Sequence, residues 1–299
     1  MSNAVVTTGT FDGVHLGHRS IIDRLNKIAR SISGESVILT FDPHPRMVLF
    51  PDDNDLKLLN TRAEKIELLR AAGVDNLIIH PFSKEFSRTT SIEFIRDTLV
   101  GKFDTKRLVI GHNHHFGRNR EGTFEHLVEF GPVYGFEVEE IPAHEVDSIE
   151  ISSTKIRNAL TEGDIQTANA FLGNTFSFTG KVIEGKKLGR QLGYPTANLF
   201  IADSFKILPA YGVYVVKAIH NGIEYGGMMN IGTNPTTDSF GLHIEVNIFD
   251  FDREIYGDNL TVKVLERLRD EKKFDGLPSL IRAIDEDKIQ SLEVLRKLK

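Results

Sequence analysis

Gly9-Thr10-Phe11-Asp12-Gly13-Val14-His15-Leu16-Gly17-His18 is the stretch around which the rest of the chain is organised. The apolar, β-branched run from Ala4 to Thr8 leads into it. An apolar-periodic run, Ile21, Ile22, Leu25, Ile28 and Ala29, leads out. Strand, glycine-rich turn and helix in that order predict an anion site at a helix N-terminus. Gly9, Gly13 and Gly17 let the backbone approach a ligand closely. His15 and His18 stand where the helix begins, so their N–H groups and the helix dipole both suit a phosphate. Two ordinary surface histidines, or a metal-binding pair, are the alternatives. The metal reading has no cysteine and no evident carboxylate as a third ligand.

Outward from this turn, strand-like and helix-like segments alternate. Strands are expected at Ser36–Phe41, Leu77–Ile79, Leu108–Ile110 and Phe136–Ile141. Helices are expected at Arg62–Ala72, with Gly73 as its stop, and at Ser91–Val100, with Ile92, Ile95 and Leu99 inward. Further helices are expected at Thr123–Phe130, from the Ser152-Ser153 cap to Leu160, and at Asp164–Leu172. Such alternation implies βαβ units and a parallel sheet, whose ligands bind beyond the C-terminal strand ends. The unusual polar residues fall at those ends: Thr8–His18, Asp42–Arg46 and His112–Arg120.

The pattern changes near Gly173. Short alternating strands are expected at Phe176–Ile183, Gly212–Ile219, Ile223–Met229, His243–Phe249 and Asn259–Leu265, with Asn221-Gly222 as a hairpin turn. They suggest a small antiparallel barrel, followed by helices at Leu277–Ile284 and Ile289–Leu298. The fold expected is therefore an α/β Rossmann-like domain over residues 1–172 and a β-barrel domain with C-terminal helices over 173–299.

Composition is consistent with two packed domains. The chain has 299 residues, 40% hydrophobic and 26% charged, with a net charge of −6. That charge, with no long basic run, argues against bulk nucleic-acid binding. The absence of cysteine excludes disulfides, thiolate nucleophiles and cysteine-based zinc sites, and fits an intracellular location. No apolar run approaches the length of a membrane span, and no secretory pattern occurs. A cytoplasmic protein without membrane or nucleic-acid partners is expected, its oligomeric state unspecified.

Several loops carry candidate chemistry. Phe41-Asp42-Pro43-His44-Pro45-Arg46 reads either as a rigid ligand-side loop or as a plain Pro-Pro turn. In Gly111-His112-Asn113-His114-His115-Phe116-Gly117-Arg118-Asn119-Arg120, histidines 112, 114 and 115 do not converge on one face of a regular element. Presentation of Asn113 to a nucleotide and of Arg118 or Arg120 to phosphate is favoured over a metal site. Gly180, Gly185 and Gly189 punctuate a loop holding Lys186, Lys187 and Arg190. It reads equally as a phosphate cradle or as a flexible turn, and no Walker motif is present. Thr196 and Asn198, two apart in Pro195-Thr196-Ala197-Asn198, project to one side of an extended segment and offer neutral, hard oxygen ligands suited to Mg²⁺. In Leu242–Phe249, alternation sets His243, Glu245 and Asn247 against Ile244, Val246 and Ile248. Glu245 then faces a cleft or plain solvent.

The His15-Leu16-Gly17-His18 stretch resembles the signature of the HxGH nucleotidyltransferases. Ile151-Ser152-Ser153-Thr154-Lys155-Ile156-Arg157 resembles that superfamily's second phosphate element. Gly189-Arg190-Gln191-Leu192-Gly193-Tyr194-Pro195-Thr196-Ala197-Asn198-Leu199 resembles the hallmark of riboflavin kinases. Over nearly its whole length, including Thr40–Pro45 and the loop from Gly111 to Gly117, the chain is similar to the bacterial bifunctional riboflavin kinases/FAD synthetases. The position after Asn113, often aromatic there, is His114 here.

This resemblance implies a first domain that adenylylates FMN to FAD with release of pyrophosphate, and a barrel that phosphorylates riboflavin to FMN. Both use ATP and Mg²⁺. It implies that His15 and His18 act on the ATP phosphates. Gly9, Thr10, Phe11, Asp12, Asn113, Ser153, Thr154 and Arg157 would serve that nucleotide. In the barrel, Glu245 would be the base on the ribityl hydroxyl, Thr196 and Asn198 would hold the metal, and Gly185, Gly189, Arg190 and Asn230 would serve the nucleotide. His44, Arg118 and Arg269 would lie on the flavin side. The competing expectations are a nucleotidyltransferase for another phosphorylated acceptor with a non-catalytic flavin-binding barrel, and a flavin sensor without catalysis.

Overall fold

The computed structural model describes residues 2–52, 55–111, 114–141, 151–185, 187–233 and 242–298. The chain divides into two compact units, Met1–Ser153 and Thr154–Lys299.

The first unit is built on five parallel strands: β1 (Ala4–Thr8), β2 (Ser36–Asp42), β3 (Asn76–Pro81), β4 (Thr105–Gly111) and β5 (Glu137–Ile141). Their order is β3-β2-β1-β4-β5. Alternate residues enter opposite cores. Ala4, Val6, Val37, Leu39, Leu108 and Ile110 join one buried cluster, and Val5, Ile38 and Val109 join the other. The strand order reverses between β1 and β4, so the C-terminal end of β1 lies at the topological switch point where α/β sheets bind ligands. The Gly9–His18 turn leaves the sheet there and enters helix α1 (Leu16–Ser31).

Helix α2 is the short segment Pro45–Leu49, and α3 is Arg62–Ala71. The turn after Asp42 contains a cis Asp42–Pro43 bond, and His44 caps α2 by accepting from the Arg46 N–H at 3.2 Å. In the segment expected as one helix over 91–100, a helical turn at Ser91–Glu93 (α4) passes into a π-helical turn over Phe94–Val100. The wider turn, marked by the Gly101 N–H donating to the Arg96 carbonyl at 2.9 Å, changes the inner face. Phe94, Ile95, Thr98 and Leu99 are buried, and Ile92 is exposed, contrary to the sequence expectation. Helix α5 (Phe124–Tyr134) precedes β5.

The second unit takes in α6 (Ser153–Glu162) from Thr154 onward, and then α7 (Ile165–Leu172). Its strands are β6 (Ser177–Ile183), β7 (Ala197–Phe200), β8 (Gly212–His220), β9 (Ile223–Thr233), β10 (Leu242–Ile248) and β11 (Asn259–Arg269). They close a barrel in the order β10-β7-β6-β11-β8-β9, with every pairing antiparallel. Asn169 of α7 donates to the Val264 carbonyl at 3.0 Å and accepts from the Phe176 N–H at 2.6 Å, which docks the helix on β11. The β8–β9 hairpin turns at Asn221 and Gly222, both at positive φ, as an Asn-Gly hairpin requires.

Two features differ from the sequence expectation. β7 is a sixth strand, too short for its alternation to read, and it completes the barrel. The C-terminal segment is one helix, α9 (Leu277–Lys297), because no breaker occurs between Ile284 and Ile289. Asp287, in the middle of that gap, turns inward and is buried.

Candidate active sites

In the first unit, the turn after β1 is held in a conformation that most side chains avoid. Phe11 (φ 47°) and Val14 (φ 42°) both lie in the left-handed region, with Gly13 at φ 90° between them. Burial of both apolar side chains in the same core cluster as Ile22 and Leu25 offsets that cost. A side chain at Gly9 would crowd the Phe11 ring at 3.2 Å. The Asp12 carboxylate is buried and turns away from the turn's open side. It accepts from the Leu59 N–H at 2.9 Å and the Asn60 N–H at 3.3 Å, while its carbonyl accepts from the Ser153 hydroxyl at 2.8 Å. Asp12 and Ser153 are thus brought together as fasteners of the turn. Thr154 and Arg157 lie in the first turns of α6.

His15 caps α1, its Nδ1 accepting from the His18 N–H at 3.4 Å, and the two rings stack with centroids 3.7 Å apart. His18 is held well below the ordinary imidazole range, first by burial, then by His15 and by Lys65. Its Nδ1 has no hydrogen-bond partner among the described residues. Lys65, not singled out in the sequence, donates to the Thr10 carbonyl at 2.8 Å. The Thr40 hydroxyl shares that carbonyl at 3.2 Å.

From the last residues of β2 and β3 a row of rings runs into the core, and the sequence did not single it out as a row. His80, Phe82 and Phe86 lie 4.4–5.7 Å from one another or from Phe41, and Phe86–Phe94 and Phe94–Phe116 extend the row. A count of 20 Phe and no Trp was its only compositional signal. His114 takes an aromatic part in it, stacked on Phe116 with centroids 6.1 Å apart. Burial, then His115 and Arg120, push its pKa down to about 4. Asn113 and His112 lie outside the described residues. Arg118 donates its backbone N–H to the Thr89 carbonyl at 2.7 Å and pairs with Glu121 at 3.9 Å.

In the second unit, one face of the barrel opens on a cavity of about 500 Å³. Its central feature comes from strand register: Glu245 on β10 is paired with Asn198 on β7 and with Asn230 on β9. Directly paired residues share a face, and all three line the cavity. The Thr196 hydroxyl lies 3.5 Å from Glu245 Oε2. The Asn247 amide donates to the Pro195 carbonyl at 2.7 Å, which holds the Pro-Thr-Ala-Asn run against β10. Neutral oxygens of Thr196 and Asn198 beside a carboxylate make a hard donor set that fits Mg²⁺.

Close packing, rather than flexibility, explains two glycines of the loop before α8 (Leu188–Gln191). A side chain at Gly185 would strike the Asn198 amide, and one at Gly189 would strike the Tyr194 carbonyl. Arg190 pairs instead with Glu254 at 3.1 Å and lines a separate, smaller cavity. Lys186 lies outside the described residues.

Arg269 borders the same large cavity, but its guanidinium is spent on the protein. Nε and Nη2 bind both oxygens of Asp287 at 2.9 and 2.7 Å, and Nη1 reaches the Asp270 carbonyl at 3.1 Å. Its planar face lies 5.6 Å from the Phe274 ring centroid. Glu271 closes over β9, accepting from the Thr233 N–H at 3.4 Å and leaving no room for a side chain at Gly232. Glu271 and Phe274 fall in Leu268–Phe274, a stretch that resembles the segment bordering the flavin in riboflavin kinases. Asp287 was not singled out in the sequence, because its tie to Arg269 joins α9 to β11 and no local pattern encodes it.

Comparison with known proteins gives matches in both units. Residues 1–155 match the family model described as FAD synthetase, and residues 172–295 match the one described as riboflavin kinase. A bifunctional riboflavin kinase/FMN adenylyltransferase of Listeria monocytogenes is 37% identical over 297 residues, covering 99% of this chain and 94% of the relative. The protein of the same name from Escherichia coli K12 is 33% identical, covering 97% and 92%. A crystal structure titled as a macrolide-efflux protein from Streptococcus pneumoniae matches with a TM-score of 0.89 at 36% identity, covering 97% of this chain and 94% of that one. Among the described residues, no helix is long and apolar enough to cross a membrane.

Two stability predictions follow from the geometry. Between pH 6.5 and about 4, the unfolded chain binds a proton that folded His114 refuses, so stability falls as pH drops through that window. His114→Phe keeps the ring and removes the proton site, and urea unfolding should show a flatter pH dependence than wild type over that range. Asp287→Ala leaves the Arg269 guanidinium without its carboxylate and should cost about 3 kcal/mol, the low end for a buried pair because the arginine is partly exposed. The double change Arg269→Met, Asp287→Leu should recover most of that loss, since an apolar pair strands no charge.

Proposed function

Because the chain belongs to the bifunctional riboflavin kinase/FMN adenylyltransferase family, we propose that it makes FAD in two steps, one in each domain. Residues 173–299 phosphorylate riboflavin to FMN at the expense of ATP. Residues 1–172 join FMN to the AMP moiety of a second ATP, releasing pyrophosphate. Both steps draw on the ATP pool, and the cytoplasm is the compartment proposed for them.

The observation that carries the kinase assignment is the row Asn198–Glu245–Asn230, set by register across three barrel strands and lining the large cavity. Glu245 accepts the proton of the ribityl 5′-hydroxyl as its oxygen bonds to the γ-phosphorus. The bond from that phosphorus to the β,γ-bridging oxygen breaks, and ADP leaves with the electron pair. Thr196 and Asn198 would hold Mg²⁺, which when bound neutralises phosphate charge. Asn230, Gly185 and Gly189 serve the nucleotide. Arg190, paired with Glu254, lines the smaller cavity instead of the large one. Arg269 borders the flavin through its face and its hold on Phe274 rather than through hydrogen bonds.

In the first domain, Gly9, Thr10 and Phe11 form the backbone turn that receives the ATP phosphates, with Asp12 and Ser153 fastening it. His15 and His18 donate to those phosphates, and Asn113, Thr154 and Arg157 complete the nucleotide contacts. His44 and Arg118, in the segments that follow β2 and β4, are the residues proposed for the flavin side. The rings from Phe41 to Phe116 belong to the core beneath, where Phe94 and Phe116 are buried. Positioning and electrostatics suffice for adenylyl transfer, and no covalent intermediate is needed.

Separate sites predict separable losses. Glu245→Gln should lower FMN formation by roughly 10²–10⁴-fold while FAD formation from supplied FMN persists. His18→Ala should do the reverse, with FMN accumulating from riboflavin and Mg-ATP. Chromatography with flavin fluorescence reads both, and parallel loss of both activities in either variant would refute the two-site assignment.

A further inference from the structure

The adenylyl-transfer turn carries a half-buried cation for which its fold gives no sufficient reason. Lys65 lies in the first turn of α3, and three ties fix its place. Asp12 grips the Leu59 and Asn60 N–H groups just before that helix. Thr61 and Glu64 form a reciprocal capping box at its start. The Lys65 ammonium itself reaches the Thr10 carbonyl at 2.8 Å. Thr40 already donates to that carbonyl, so the lysine is not needed to satisfy it.

Among the described residues the ammonium has no other hydrogen-bond acceptor, which leaves two of its three N–H donors unspent. Two carboxylates exert a field on it, those of Asp12 and Asp42. The first is engaged by backbone N–H groups, and the second pairs with Arg62 at 3.4 Å. Even so, burial holds the Lys65 pKa below the ordinary range. Burial, His15 and Lys65 itself push the neighbouring His18 imidazole toward its neutral form, which carries one N–H donor and no charge. A half-buried ammonium with unspent donors beside a glycine turn is the arrangement expected of a site that awaits an anion.

We propose that Lys65 is a catalytic residue of adenylyl transfer: anchored on the Thr10 carbonyl, its ammonium meets the negative charge of the reacting phosphates. This inference rests on the assignment of adenylyl transfer to the first domain. In the step it serves, an oxygen of the FMN phosphate bonds to the α-phosphorus of ATP. The bond from that phosphorus to the α,β-bridging oxygen breaks, and pyrophosphate leaves with the electron pair. Two anions must approach for this to happen, and Lys65 supplies fixed positive charge without giving up a proton.

The test compares Lys65→Gln with Lys65→Arg in the full chain. Glutamine keeps a donor for the Thr10 carbonyl and removes the charge, whereas arginine keeps the charge. For Lys65→Gln, kcat/KM of FAD formation from FMN and Mg-ATP should fall by about 10²–10³-fold, Lys65→Arg should retain more, and riboflavin phosphorylation should be unchanged. In NMR titrations without ligand, the His18 pKa should rise in Lys65→Gln. Equal FAD formation by the two variants, or an unmoved His18 pKa, overturns the proposal and leaves Lys65 a structural fastener. Undiminished FAD formation by His18→Ala in the same assay would instead show that the assignment of the site itself is wrong.

Discussion

The buried carboxylate of Asp12 is the interaction on which the first site depends. It is the anion to which the N–H groups of Leu59 and Asn60 point, so it ties the Gly9–His18 turn to the start of α3. Its own carbonyl receives the Ser153 hydroxyl. Remove that grip and nothing compensates Phe11 and Val14 for their left-handed backbone except the burial of their side chains. The turn's position also sets the Thr10 carbonyl, and with it the place of Lys65. A residue expected to face the nucleotide thus serves it at one remove, by making the backbone rigid before any phosphate arrives.

The barrel rests on a different constraint, strand register. β7 is four residues long, yet it pairs Asn198 with Glu245 and closes the sheet. A slip of one residue would turn Thr196 and Asn198 to the other face. The Asn247–Pro195 hydrogen bond opposes such a slip, because it ties the segment just before β7 to the strand that carries Glu245. On the opposite wall, Asp287 fixes Arg269 with both oxygens, so the face of the guanidinium rather than its N–H groups is presented beside Phe274. Both walls are therefore set by polar groups bonded to the protein itself.

Much of the fold was legible in the sequence because its signals are local. The alternation of apolar strands and amphipathic helices before Gly173, and of period-two strands after it, follows from which face each element must bury. Misreadings arose where local pattern loses authority. Ile92 was assigned inward by helical periodicity, and a π-helical turn gave that place to Phe94. Two helices were expected around Ile284 and Ile289, yet one runs through, and Asp287 within it pairs with Arg269 on β11. His114 departs from an aromatic position yet stacks as an aromatic ring, since burial holds it neutral.

From the sequence alone came the parallel-sheet and barrel classes, the turn at Gly9–His18, and the placing of Thr196 and Asn198 on one side of an extended run. Each is carried by residues near one another in the chain, where spacing fixes direction. Glu245 joined that pair only through the resemblance to riboflavin kinases. Only the tertiary structure decided that Asn198, Glu245 and Asn230 stand in one row and that Asp12 faces inward. It likewise brought Lys65 to the Thr10 carbonyl and gathered rings from separate strand ends into one aromatic row. Those relations join residues tens of positions apart. They exist only once the sheet and the barrel have closed, because hydrogen bonds across a fold are set by register and burial rather than by sequence distance.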